Sequence, residues 1–309
     1  MIEVIRPGLL STVQDLGRPG LAHLGVARSG ALDPGSLRLG NRLVGNPAGT
    51  SGIETTMLGI DVRIHRSSWI AVTGATCHFS VDGRPANLNA PQYVPSGGTI
   101  SLGSATEGIR NYLTVAGGVT STMILGSRST DTLSGIGPSP LATGTVLPIG
   151  DCYGHPAAVD IAPRPQIPHL ATVRLILGPR ETWFAVDALE KFFASTYVVT
   201  NSSNRVGARL DGPPLIANCS ESLPSEGMVL GAVQVPSNGR PIIFLADHPT
   251  TGGYPVVGVI HPDDLWMIAQ APPGTKVRFK PHAAAAEPAA ITGKKDIKVS
   301  RQDGLTDCR

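Results

Sequence analysis

Four groups of polar residues stand in glycine-rich turns of this 309-residue chain and could do chemistry. The sharpest is Asp247-His248-Pro249-Thr250-Thr251-Gly252-Gly253-Tyr254-Pro255, which follows the apolar run 241–245. Gly252 and Gly253 let backbone N–H groups approach a ligand closely and allow positive φ. Asp247 and the hydroxyls of Thr250 and Thr251 flank that loop. Such a set can bind a carboxylate, an amide or a phosphate. A plain tight turn, its threonines capping their own backbone, uses the same residues.

The second group is residues 204–212, NRVGARLDG. Arg205 and Arg209 are four apart, so they share a face on a helix and on a strand. Two guanidinium groups can then converge on one anion. A surface Arg pair answered by Asp211 is the plain alternative. The third group is Ser225-Glu226-Gly227 with Gln234 downstream. Glu226 is a general base if burial tunes it, and a solvated loop residue otherwise. The fourth is Ser29-Gly30-Ala31-Leu32-Asp33, preceded by QDLGRPG at 14–20. It feeds a helix N-terminus, which favours anions, though Asp33 there is also an ordinary cap.

Familiar devices are absent from the sequence. It has no GxxxxGK[ST] loop, no GxGxxG after a strand, no GxSxG and no HExxH. The Ser-rich loop of amidase-signature hydrolases is missing as well. The eight histidines form no HxH or HxxxH pair, and Cys77, Cys152, Cys219 and Cys308 form no CxxC, so no metal site is expected. The net charge of +2 gives no basis for nucleic acid or an acidic membrane as partner. Arg outnumbers Lys 19 to 6. No signal peptide opens the sequence and no run of 18 apolar residues occurs, so a cytoplasmic protein without a membrane segment is expected.

The elements that position these groups are short. Glycine (37) and proline (27) make up about a fifth of the residues, against roughly 12% on average. With 41% hydrophobic residues, the chain is turn-rich yet able to build cores. Strands are expected at 2–5, 9–13, 62–64, 69–72, 78–81, 99–102, 112–115 and 146–149. Asp82-Gly83 marks a hairpin. Asp33-Pro34 should open a helix that closes at Gly45-Asn46-Pro47. Later strands are expected at 173–177, 197–200, 228–235, 242–245, 256–260 and 277–279. Helices are expected from Trp183 to Phe193 and from Pro262 to about Gln270. The proline-rich stretch 154–170, GHPAAVDIAPRPQIPHL, suits a linker. The division is therefore an N-terminal domain at 1–155, a linker at 156–170, a C-terminal domain at 171–283 and a tail at 284–309.

Nine motifs in order resemble the biotin-dependent carboxyltransferase-like family. They are residues 14–20 (QDLGRPG), 29–33 (SGALD), 41–46 (NRLVGN), 112–118 (YLTVAGG), 125–131 (LGSRSTD), 205–212 (RVGARLDG), 225–227 (SEG), 234–236 (QVP) and 250–255 (TTGGYP). That family includes the C-type subunit of bacterial 5-oxoprolinase, the second subunit of so-called allophanate hydrolase and the Kip antagonist protein. It also includes part of the urea carboxylase carboxyltransferase domain. The resemblance implies a mainly β protein of two cyclophilin-like β-barrel domains with a few short helices. It implies a B-type partner subunit and, for 5-oxoprolinase, an A-type partner as well. That complex couples ATP hydrolysis to opening of 5-oxo-L-proline to L-glutamate, and this chain is expected to be inactive alone. ATP would bind at the level of the complex.

No AMKM-type biotinyl-lysine motif occurs, so biotin is not expected on this chain. Glu226 and Asp247 are then the catalytic candidates. Ser29, Asp33, Arg205, Arg209, Gln234, Thr250, Thr251, Gly252, Gly253 and Tyr254 are the substrate-binding candidates. Alternatives are a carboxyltransferase component and a non-enzymatic regulator that binds a kinase-inhibitor partner. Some relatives carry Gln before TTGGYP, where this chain has Pro249.

Overall fold

The computed structural model describes residues 1–163, 165–217 and 223–282. The expected tail at 284–309, with Cys308, and Cys219 lie outside the described residues. Among the described residues the fold is mainly β with three short α-helices.

The first domain is one nine-stranded antiparallel sheet that curls into a half-barrel. Its spine is the 17-residue strand Thr99–Val115, which pairs with Gly52–Thr56, Asp61–Ile64 and Ser68–Val81. Ile2–Arg6 pairs with Asp61–Ile64 and Val146–Leu147. Alternate residues of these strands point inward, and Ile2, Val4, Val62, Ile64, Ile70, Val72, Ile100 and Val115 are fully buried together. The helix Pro34–Leu43 lies against the sheet. Asp33 caps it, accepting from Ser36 N at 3.0 Å and from Ser36 Oγ at 2.7 Å, and Pro34 takes the first position as expected.

The second domain is a closed seven-stranded barrel. Its first strand, Leu170–Leu177, runs parallel to its last, Lys276–Pro281, and every other pairing is antiparallel. The helix Val186–Ala194 packs on the barrel through Phe192, whose ring stacks on Phe279 at 4.6 Å. A separate ribbon pairs Glu226–Gly227 with Thr251–Gly252.

Several expected elements differ. The runs 69–72 and 78–81 are one strand, Ser68–Val81, and 99–102 and 112–115 are one strand, Thr99–Val115. Gly74 (φ +102°) and Gly108 (φ +82°) look like strand breaks in the sequence. Instead the ladder shifts register between Gly74 and Phe79, and bulges absorb the irregularity. The hairpin at Asp82-Gly83 forms as expected, with φ of 50° and 75°, the signs of a type I′ turn. Trp183 closes a 3₁₀ turn, Glu181–Trp183, ahead of the helix rather than within it. The strands Gly52–Thr56 and Gly207–Asp211 carry charged residues that hid them.

Between Val146–Leu147 and Leu170–Leu177 no strand or helix is present among the described residues. The segment lies along the first domain, where Ala157 N donates to Leu43 O and Ala162 N to Asn89 O. No described helix is long and apolar enough to cross a membrane.

Candidate functional site

The two domains meet on a buried charge network. Arg205 approaches the strand Gly207–Asp211 from the turn before it and reaches across the joint. Its Nε donates to Asp247 Oδ2 at 2.9 Å and its Nη2 to Asp247 Oδ1 at 3.0 Å and Gly30 O at 2.7 Å. Its Nη1 donates to Glu54 Oε1. Glu54 Oε2 accepts from Leu32 N at 2.9 Å and Tyr112 Oη at 2.8 Å. Thr132 donates to Asp247 from both its N (2.9 Å) and its Oγ1 (2.8 Å).

Burial opposes the charged forms of Arg205 and Glu54. Burial pulls the Arg205 guanidinium down, but Glu54 and Asp247 lift it higher still. Burial raises the Glu54 carboxyl, and Arg205, Arg110 and its hydrogen bonds hold it below the usual carboxylate range. The same burial, beside the Glu54 charge, pushes the Tyr112 hydroxyl well up.

The N-terminal motifs are tied together beside this network. Asp15 Oδ1 accepts from Gly17 N, Ser127 Oγ and Ser129 Oγ, and its Oδ2 from Arg128 N. QDLGRPG and LGSRSTD are thereby one structure. Arg18 is 2% exposed and donates Nη2 to Ser129 O at 2.5 Å, while its Nε and Nη1 lack protein partners. Ser29 Oγ and Asp131 Oδ2 are also buried and unpartnered. Ser29 holds φ at +53°, a region a non-glycine residue occupies only at a cost.

A groove of about 470 Å³ opens between the domains above Ser29. The helix Pro34–Leu43 lines one side with Asp33, Arg38 and Arg42; Leu230, Leu265 and Trp266 line the other. Gln270 crosses from the second domain at its base. Its Nε2 donates to Asp33 Oδ2 at 2.9 Å and its Oε1 accepts from Arg110 N at 3.0 Å.

The remaining candidates gather at one end of the barrel, beside a second cavity of about 370 Å³ that Gly253, Tyr254, Trp183 and Val235 line. Glu226 pairs with Arg180, whose guanidinium sits 4.5 Å from the Trp183 ring centroid. Gln234 Nε2 donates to Tyr254 O at 3.4 Å. Thr250 O accepts from Met228 N. Thr251 and Gly252 form the short ribbon with Glu226.

Eleven of the twelve candidates therefore divide among three places. Ser29 and Asp33 line the groove, Arg205 and Asp247 lie in the joint, and Gly253 and Tyr254 line the barrel-end cavity, with Glu226, Gln234, Thr250, Thr251 and Gly252 on the neighbouring strands and turn. Arg209 joins none of them. It is exposed on its strand, whereas Arg205 is buried before that strand begins, so the expected shared face does not arise. Asp211 answers Arg240 instead of this pair. Gly252 and Gly253 do not adopt the positive φ that the sequence suggests. A Cβ on Gly252 would stand 2.7 Å from Gln234 Nε2 and 3.2 Å from Met228, so glycine there serves close packing. Sequence reasoning missed Glu54, Arg18 and Gln270. A Glu within GIETT reads as a solvent-facing strand position, and its partner lies 151 residues away.

The family described as carboxyltransferase domain, subdomain A and B, matches residues 24–281, and the chain belongs to it. The C-type subunit of Escherichia coli (strain K12) 5-oxoprolinase is 35% identical over 282 residues, covering 90% of each chain. Saccharomyces cerevisiae urea amidolyase is 32% identical over 331 residues, 98% of this chain and 18% of that protein. The crystal structure of TTHA0988 matches with a TM-score of 0.81 at 36% identity, over 90% of this chain and 55% of that one. This chain thus spans about half of that solved chain and under a fifth of the amidolyase. These relatives are, by name, a subunit of one enzyme and a larger amidolyase. Among the described residues no cluster of three His, Cys, Asp or Glu could hold a metal ion.

Proposed function

We propose that the chain is the C-type subunit of an ATP-dependent 5-oxoprolinase, opening 5-oxo-L-proline to L-glutamate in the cytoplasm with B- and A-type subunits. One observation carries this reading. The similarity to a C-type 5-oxoprolinase subunit spans 90% of both chains. The chemistry is compatible. A lactam is resonance-stabilised, so opening it needs activation of its carbonyl, paid for by ATP, and donors for the developing oxyanion. Water supplies the hydroxyl to the carbonyl carbon and a proton to the departing nitrogen. The reading places the lactam at the barrel-end cavity, which Gly253 and Tyr254 line; Gln234, bonded to Tyr254 O, and Glu226, held by Arg180 and paired in register with Gly252, are the polar groups next to that lining.

A carboxyltransferase component is the second reading, favoured by the urea amidolyase similarity across 98% of this chain. It requires a separate biotin carboxylase and biotin carrier. Assembly with B- and A-type partners should give glutamate from 5-oxoproline only when ATP is present. A complete complex that releases none contradicts the 5-oxoprolinase reading. Within that complex, Glu226→Gln is expected to lower kcat about 10²-fold or more, as for loss of a general base. Its melting temperature should stay near that of the wild type, because Glu226 is 36% exposed. Unchanged kcat removes Glu226 from the chemistry.

A further inference from the structure

The groove between the domains carries more positive charge than a small lactam monoanion uses. Arg38 and Arg42 are four apart on the helix Pro34–Leu43 and so lie on one face. With Arg28 they line the groove, and all three are exposed. Among the described residues none of the three forms an ion pair, whereas Arg6, Arg174, Arg180, Arg205 and Arg240 each meet a carboxylate. The two carboxylates in the groove do not answer them. Asp33 is engaged by Ser36 and Gln270, and Asp263 lies near Arg174 and His261 at the far rim.

Opposite the arginines stand Trp266, Leu265 and Leu230, an apolar wall with one half-buried indole. At the inner end Ser29 Oγ is buried, lines the groove and lacks a partner. The volume of about 470 Å³ falls among sites that hold drug-sized ligands, roughly 300–1,000 Å³. Three unpaired guanidinium groups at one side and an aromatic at the other suit a ligand with several phosphate charges and a flat base.

We infer that this groove binds a nucleoside triphosphate, with its phosphates toward Arg28, Arg38 and Arg42 and its base against Trp266. The choice of a triphosphate over another phosphorylated small molecule rests on the 5-oxoprolinase reading. The site itself rests on the groove.

The test titrates MgATP and MgAMP into the full chain, followed by calorimetry and by tryptophan fluorescence. ATP should bind more tightly than AMP. The double variant Arg38→Glu and Arg42→Glu should weaken ATP by about tenfold per arginine, the scale of a charge-assisted hydrogen bond. Melting should be unchanged in this variant, since both side chains are exposed. In the assembled complex the same variant should raise KM for ATP and leave KM for 5-oxoproline alone. No ATP binding by the chain, an ATP affinity unaffected by the variant, or a rise in KM for 5-oxoproline instead overturns the inference. The two ideas fail separately. ATP binding without glutamate release by the complex sinks the 5-oxoprolinase reading and keeps the groove. Glutamate release with an ATP KM indifferent to the variant does the reverse.

Discussion

Replacing Arg205 by Met is expected to remove about 3–5 kcal/mol of stability, the usual cost of taking one partner from a buried ion network. Arg205 is 1% exposed and its two carboxylate partners are fully buried. Without it, Leu32 and Tyr112 still hold Glu54 Oε2, and Thr132 still holds Asp247 Oδ2. Glu54 Oε1 and Asp247 Oδ1 keep no such support. Arg110 gives only a longer-range attraction, since its Nε stands 3.9 Å from Glu54 Oε1 and its Nη1 is committed to Ala269 O. The melting temperature should fall by roughly 10 °C, on the scale for chains of this size. Lysine at 205 should recover only part of the loss, because an ammonium cannot reproduce a fork between two carboxylates.

The pH dependence separates this cause from simple loss of packing. In the wild type Glu54 titrates below its unfolded value. Its contribution is therefore present above the unfolded carboxylate range and is lost as pH falls through the folded value. In Arg205→Met burial dominates instead, and the Glu54 value should move above the unfolded one. The gap between wild type and variant should be widest near neutral pH and narrow on acidification. Adding Glu54→Gln and Asp247→Asn to the variant should restore more than half of the lost stability. A gap that is constant with pH, or a single variant as stable as the wild type, contradicts the account. Urea melts followed by circular dichroism at several pH values make the comparison.

This joint also explains which parts of the molecule were legible in the sequence. The strand-rich fold, the Asp33-Pro34 helix start and the Asp82-Gly83 turn follow from local chemistry, and local chemistry is what a sequence displays. The two long strands did not follow, because Gly74 and Gly108 break the alternation without ending the ladder. The motifs themselves were visible, but not their partition. QDLGRPG, SGALD, YLTVAGG, LGSRSTD and Arg205 converge on the joint through Asp15, Tyr112, Glu54 and Asp247. SEG, QVP and TTGGYP converge on the barrel end. Spacing along the chain cannot report contacts made across 42 or 151 residues. Arg205 and Arg209 show the same limit, since a face argument needs both residues in one element.

Gln270→Leu is expected to destabilise the chain by about 2–4 kcal/mol, because it strands several buried backbone groups at once. The amide is 1% exposed and links the second domain to the first. Its Oε1 accepts from Ile109 N at 3.2 Å and Arg110 N at 3.0 Å; its Nε2 donates to Arg110 O at 3.1 Å and Asp33 Oδ2 at 2.9 Å. Gly108 makes this approach possible. A Cβ there would lie 3.0 Å from Gln270 Oε1 and 2.5 Å from Ile167 Cδ1, at a φ of +82°.

Gln270→Glu keeps the shape and exposes the role of the amide. A carboxylate still accepts from both N–H groups, but it faces Asp33 and a carbonyl that both need a donor. Protonation supplies that donor, so the folded-state pKa of the new acid should lie above its unfolded value. Its stabilising contribution is then full below the unfolded pKa and lost as pH rises through the folded pKa. This slope is opposite to that of Glu54. The Glu variant should approach wild-type melting near pH 4 and fall away by pH 7, whereas the deficit of the Leu variant should vary little with pH. A Leu variant as stable as the wild type at both values contradicts the role. Gln270 also lines the groove and holds the Asp33 cap of its arginine-bearing helix. At a temperature where both variants are folded, loss of that hold should loosen the placement of Arg38 and Arg42. A rise in the KM for ATP of the assembled complex, with kcat little changed, would mark Gln270 as a positioning residue.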